Sequence, residues 1–162
     1  MAVLRVFMTG FNQRVWWLNP TWKVGCLLLL LAVGAPLVDA ADITSLTYGL
    51  PARSMTSTWK GNNIIPQRPN MVFTYAGTLA GSKWLSFIDA TLNSGAPCLS
   101  GTIAAAEHDS GHSGVMQGSA SKVVTVPQIS LLDASKTFAI CFAENSGAIT
   151  DTWSDSRFHP RL

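Results

Sequence analysis

Past residue 41 the apolar positions recur with period two, in short runs separated by Gly, Pro, Asn and Ser. That is the pattern of half-buried strands joined by tight turns. Ile43–Tyr48 reads as a first strand, stopped by Gly49 and Pro51. Ser54–Trp59 sets Met55, Ser57 and Trp59 on one face and Thr56 and Thr58 on the other, and Gly61-Asn62-Asn63 follows as a turn. Met71–Tyr75 is strand-like up to Ala76-Gly77. Lys83–Ala90 puts Trp84 and Ile88 on one face and Leu85 and Phe87 on the other. With both faces apolar, it predicts a central strand or a bulged one. Lys122–Val126 is β-branched and ends at Pro127, and Thr137–Glu144 is the strongest strand of the chain. Asp151–Trp153 and Arg157–Leu162 supply the rest. The final run is expected to be an edge strand with Phe158 inward, Arg157 and His159 outward, and little order beyond Pro160.

Helical periodicity is nearly absent from the same region. Asn93–Gly101 and His108–Gly118 read as loops, and Thr102–Glu107 is either a short helix or a strand. About seven strands without helices imply an all-β fold, an antiparallel immunoglobulin-like sandwich over residues 41–162.

The strongest strand fixes a register. Phe138, Ile140 and Phe142 share one parity and should face the core, leaving Ala139, Cys141 and Ala143 on the other side. Cys141 then points outward unless a bulge reverses the parity. Cys98 is its one partner after residue 40. A Cys98–Cys141 disulfide would clasp the loop at residues 93–101 over the outside of the sheet.

The first 40 residues follow another pattern. Arg5, Arg14 and Lys23 precede an uncharged run from Val24 to Val38, and Val38-Asp39-Ala40 supplies small or modest residues at the end of it. A basic start, a short apolar helix and such a site read as a secretory signal peptide cut between Ala40 and Ala41. A bilayer span needs about 20 apolar residues, more than this run offers. The rival reading is an uncleaved signal anchor, with Trp16, Trp17 and Trp22 at the interface. Either way residues 41–162 stand outside the cytosol, where a disulfide is stable.

Charge narrows the possibilities further. Only 12% of residues are charged and the formal net charge is +2, against a usual charged share of about 25%. Residues 41–162 hold as many acidic as basic side chains. A phosphate-driven nucleic-acid binder would need a basic surplus, so nucleic acid is excluded as a partner.

Candidate chemistry concentrates in Glu107-His108-Asp109-Ser110-Gly111-His112-Ser113-Gly114. His108, Asp109 and His112 could offer two nitrogens and a carboxylate to a divalent metal, as in a small metal-dependent hydrolase. Ser110-Gly111 opposes the helix on which that spacing would converge. Asp109-Ser110-Gly111 matches the aspartic-protease triplet but lacks the preceding apolar strand. The Gly111–Val115 stretch misses the G-x-S-x-G elbow at its last position. Asp151 and Asp155 flank Trp153 and could bind calcium. Trp59, Trp84 and Trp153 could stack on sugar rings, although each lies in a strand-like run where core packing is the plainer role. The expectation is therefore no catalytic residue, no metal and no cofactor.

The run from Leu132 to Gly147 resembles the E–F corner of fibronectin type III modules, where a Leu precedes by six residues the aromatic that opens strand F. Phe138 stands where those modules carry a tyrosine. Met55–Trp59 resembles their second strand, and Phe73–Lys83 is similar to strand ends in immunoglobulin-like repeats. The resemblance implies a sandwich of this class. A sandwich with no convergent catalytic triad, metal box or cofactor loop is expected to be a non-enzymatic module for structure, adhesion or recognition, on a cell surface or secreted. The alternative is a carbohydrate-binding module, and the second alternative is the metal-dependent hydrolase. The implied partner is an extracellular protein or glycan, with the membrane involved only if residues 1–40 stay attached.

Overall fold

The computed structural model describes residues 41–56 and 64–162. The expected signal segment at 1–40, Trp59 and the turn at 61–63 lie outside the described residues. Eight strands form: β1 Ser45–Tyr48, β2 Arg53–Thr56, β3 Met71–Ala76, β4 Trp84–Asp89, β5 Met116–Gln117, β6 Val123–Val126, β7 Phe138–Ala143 and β8 Trp153–Asp155. They make two four-stranded sheets, one in the order β2-β1-β3-β6 and one in the order β5-β4-β7-β8. Every pairing between these eight strands is antiparallel.

The core forms where the apolar parities of the two sheets meet. Phe73, Tyr75 and Val124 from the first sheet pack with Leu85, Phe87, Phe138 and Ile140 from the second. The rings of Phe73 and Phe87 stand 6.1 Å apart. A fully buried Phe or Ile contributes about 1.5–3 kcal/mol over its exposed state, so this layer dominates the fold's stability. Tyr75 is buried to the hydroxyl, which donates to Ala80 O at 2.7 Å.

The expected register of β7 holds. Phe138, Ile140 and Phe142 lie in the inter-sheet core, whereas Ala139, Cys141 and Ala143 belong to a second apolar cluster on the other face of the same sheet. The two apolar faces of β4 divide in the same way. Leu85 and Phe87 enter the main core, and Ile88 and Trp84 turn to the outer cluster. β4 is also central, between β5 and β7.

Four sequence expectations need correction. Strand β8 covers Trp153–Asp155, not Asp151–Trp153, because Asp151 caps the preceding turn through Ser146 N and Gly147 N, each at 2.7 Å. Arg157–Leu162 is not a strand. Arg157 takes a left-handed φ of 61°, and its N–H donates to Asp155 Oδ1 at 2.7 Å, which breaks the ladder. The tail still follows β7 at intervals: Ile140 N donates to Phe158 O, and Phe138 N to Pro160 O. Phe158 is buried as expected. Arg161 is held beyond Pro160, bridged to Ile64 and Thr137, so the expected loosening there is absent. The expected loop at 93–101 and the undecided run after it are short helical turns at Leu92–Gly95, Pro97–Leu99 and Gly101–Ala104.

Candidate functional site

The outer face of the second sheet is not bare. Residues 91–105 lie across it as a strap, placing Cys98 and Ala104 against Ile88, Ala139, Cys141, Ala143 and Trp153. Small side chains on the outward parity of β7 let the strap approach closely. Cys98 and Cys141 meet at disulfide distance, with Cα atoms 5.3 Å apart, and both are buried. The strap turns through three consecutive left-handed residues, Asn93, Ser94 and Gly95. Asn93 offsets part of that strain by donating from Nδ2 to Ala96 O at 2.8 Å.

Trp84 and Trp153 flank the strap. Trp153 is only 4% exposed and its indole N–H donates to Ala148 O at 2.9 Å. Trp84 is half-buried and donates to Asn145 O at 3.0 Å. Gly147, at φ 68°, sits where a Cβ would strike the Trp84 ring at 2.9 Å. Both rings thus serve as packing for the outer cluster.

The His108–Gly114 cluster lies along β4 on the side away from β7, beyond the short pairing of β4 with β5, and His112 bridges to Ile88. Asp89 N donates to Gly111 O at 2.8 Å, and Ser113 N to Phe87 O at 2.9 Å. Asp109 Oδ1 accepts from Gly111 N at 2.6 Å and stands 2.8 Å from His112 Nδ1. Burial raises the Asp109 pKa, but these partners outweigh it and hold the carboxyl below its ordinary value. Ser113 Oγ accepts from Phe87 N and donates to Gly114 O, both at 2.8 Å. Asp109 and His112 therefore brace the loop internally and Ser113 ties it to β4, while the His108 side chain does not join them. No group of three or more His, Cys, Asp or Glu residues among the described residues is placed to hold a metal ion. Asp151 and Asp155 do not combine either. Asp151 caps its turn, and Asp155 binds Arg157 N and His159 Nε2.

Sequence reasoning passed over one polar pair. Asp89, 2% exposed, meets Lys136 Nζ at 2.8 Å and accepts from Thr91 N and Oγ1 at 2.9 and 2.8 Å. Burial alone would raise its pKa, but Lys136 and Thr91 together hold it below the ordinary value. The signal was a lone carboxylate closing an apolar strand run, since a buried charge needs a partner. Nothing in the sequence marked Lys136 as that partner.

A second feature lies on the outer face of the first sheet. A hollow of about 540 Å³ opens beside the β1–β2 turn, lined by Thr47, Tyr48, Leu50, Met71, Val72 and Thr74 among others. Leu50 at its rim is 100% exposed. No helix of the described residues is long and apolar enough to cross a membrane. No protein-family model matches the chain, and neither a characterised relative nor a solved structure is similar to it.

Proposed function

We propose that residues 41–162 form an exported, non-enzymatic, immunoglobulin-like module used for structure, adhesion or recognition. The observation that carries this reading is the buried Cys98–Cys141 pair, set at disulfide distance over the outside of a sheet. A cross-link spanning 43 positions is worth about 4 kcal/mol on the chain-entropy model, and it persists in oxidising compartments. It agrees with the signal-like first 40 residues.

The strand order supports the immunoglobulin-like part. Taking β1, β3, β4, β5, β6, β7 and β8 as A, B, C, C′, E, F and G gives A-B-E in one sheet and C′-C-F-G in the other. The immunoglobulin plan likewise splits its strands between an A-B-E side and a C-F-G side. Strand β2 is an extra edge beside A. Leu132, buried after the turn at Ile129–Leu131 and ahead of β7, is compatible with the E–F corner of that plan.

The test is expression of the full chain through a secretory pathway. The reading expects protein in the medium, a mature N-terminus at Ala41, and a non-reducing peptide map joining Cys98 to Cys141. A cytosolic product with both thiols free would overturn it. For the binding role, the secreted protein is immobilised and screened against extracellular proteins and a glycan array. Binding to proteins supports recognition, whereas binding confined to glycans moves the assignment to a carbohydrate-binding module.

A further inference from the structure

Beyond β8 the chain stays against β7. Ser156 N donates to Ile140 O at 3.0 Å, and Ile140 N donates to Phe158 O at 3.2 Å. One β7 residue thus bonds to residues on both sides of Arg157, which makes Arg157 an extra residue in the pairing. In a bulge of this kind the left-handed position normally belongs to glycine. Arg157 takes it at φ 61°, with its side chain exposed. A left-handed arginine is strained.

Residues 158–162 then fill a slot between β7 and the Ile64–Ile65 segment. Phe158 and Pro160 are buried and Leu162 packs on the main core, whereas His159 and Arg161 are exposed. The segment offers carbonyls to the slot. Phe158 O accepts from Ile140 N, Pro160 O from Phe138 N at 2.9 Å, and Arg161 O from Ile65 N at 2.8 Å. The slot therefore displays its own ligand: an extended segment with an aromatic, a proline and a leucine at alternate positions, hinged at one strained residue.

We infer that this slot also accepts the same segment from a second copy of this chain, giving a reciprocal strand-exchanged dimer hinged at Arg157. Each copy then completes the other's core with Phe158. Contacts inside the slot are the same whichever copy supplies the segment, so two other terms set the balance. Association costs translational and rotational freedom, which favours the monomer in dilute solution. Straightening at Arg157 releases a left-handed non-glycine residue, which favours exchange as concentration rises. Exchange of an identical element is a low-cost route to a dimer, and a short strained hinge is what invites it. The inference goes beyond the proposed module and does not require export.

Refolding of the full chain tests it. The chain is unfolded in urea with its disulfide intact, refolded from micromolar to millimolar concentration, and resolved by size exclusion with light scattering. The expected result is a dimer whose share grows with refolding concentration. Arg157→Val, β-branched and unsuited to a left-handed backbone, should raise the association constant at least about fivefold, and Arg157→Gly should lower it by a similar factor. A second measurement locates the segment. Thr137 and Arg161 bridge each other, so Thr137→Cys combined with Arg161→Cys, oxidised after refolding, should link the two chains of the dimer to each other. A dimer in which those links stay within each chain overturns the proposal. So does a chain that refolds only as monomer at millimolar concentration, or a dimer that Arg157→Gly leaves undiminished. Glycine keeps the native backbone angle accessible, so this variant and the cysteine pair decide the test even where Arg157→Val does not refold.

Discussion

The first sheet is buried on one side and the second on both, and the strands record the difference in their side chains. β3 alternates buried Phe73 and Tyr75 with exposed Val72, Thr74 and Ala76. All six residues of β7 are buried. β7 achieves this with two sizes of side chain, large toward the core and small toward the strap. Period-two alternation marks a strand that faces water. A strand with apolar residues on both parities must find a second cover, and here that cover is a non-repetitive segment held by a cysteine pair. Two-sided burial therefore does not require a third sheet or a helix layer. Fifteen residues of turns suffice when the sheet offers Ala, Cys and Ala for them to rest on.

The largest effect should come from the layer the two sheets share. Phe87→Ala removes a ring that is 1% exposed and packed against Phe73. It should cost about 3–5 kcal/mol in denaturant unfolding, and both sheets should melt together. A variant that lost only one sheet's signals would mean that the sheets fold separately.

Next is the strap. Replacing both Cys98 and Cys141 by Ala should cost about 2–4 kcal/mol. The loss should be read first as faster amide exchange at Ile103, Ala104 and Ala105, whose N–H groups bond within the strap. The amides of β1 and β3 should speed up by less than those of the strap. If the cysteine variant kept full stability, the outer cluster would not depend on its clasp.

A smaller effect concerns the end of β4. The folded pKa of Asp89 lies below the ordinary carboxylate value. Its stabilising contribution is therefore complete above about pH 4 and is lost as pH falls through the lowered folded value. Asp89→Asn should lower the melting temperature at neutral pH and reduce its decline in acid. An unchanged acid profile in the variant would show that the Lys136 pair contributes nothing to pH dependence.

Much of this was legible in the sequence, and the failures have identifiable causes. The parity of Phe138, Ile140 and Phe142 against Ala139, Cys141 and Ala143 sufficed to place the cysteine outside the sandwich, because strand geometry leaves no third direction. The two apolar faces of the run around Trp84 to Ile88 left a central strand or a bulged one, and the strand is central. The tail misled because its alternation is real, with Phe158 inward, yet Arg157 adopts a left-handed backbone that apolar spacing does not report. The strap read as a loop because its turns are single and local, too short for any period to appear. The His108–Gly114 cluster looked like chemistry because its residue types are reactive. Its hydrogen bonds depend on the β4 edge that lies 20 or so positions earlier, a long-range placement no spacing rule contains. The hollow beside Leu50 was missed for a similar reason: it arises where the β1–β2 turn stands against β3, and neither segment alone suggests it.

The central claim is that one sheet is covered on both faces and the other on one. A matched pair of substitutions on outward parities tests it most directly: Ala139→Asp on β7, where the residue is 0% exposed, and Thr74→Asp on β3, where it is exposed. Both are measured by urea unfolding of dilute protein. The account predicts that Ala139→Asp costs about 3 kcal/mol or more, since it buries an unpaired charge beneath the strap, while Thr74→Asp stays within about 0.5 kcal/mol. Equal and small effects would contradict it, because Ala139 would then lie under nothing.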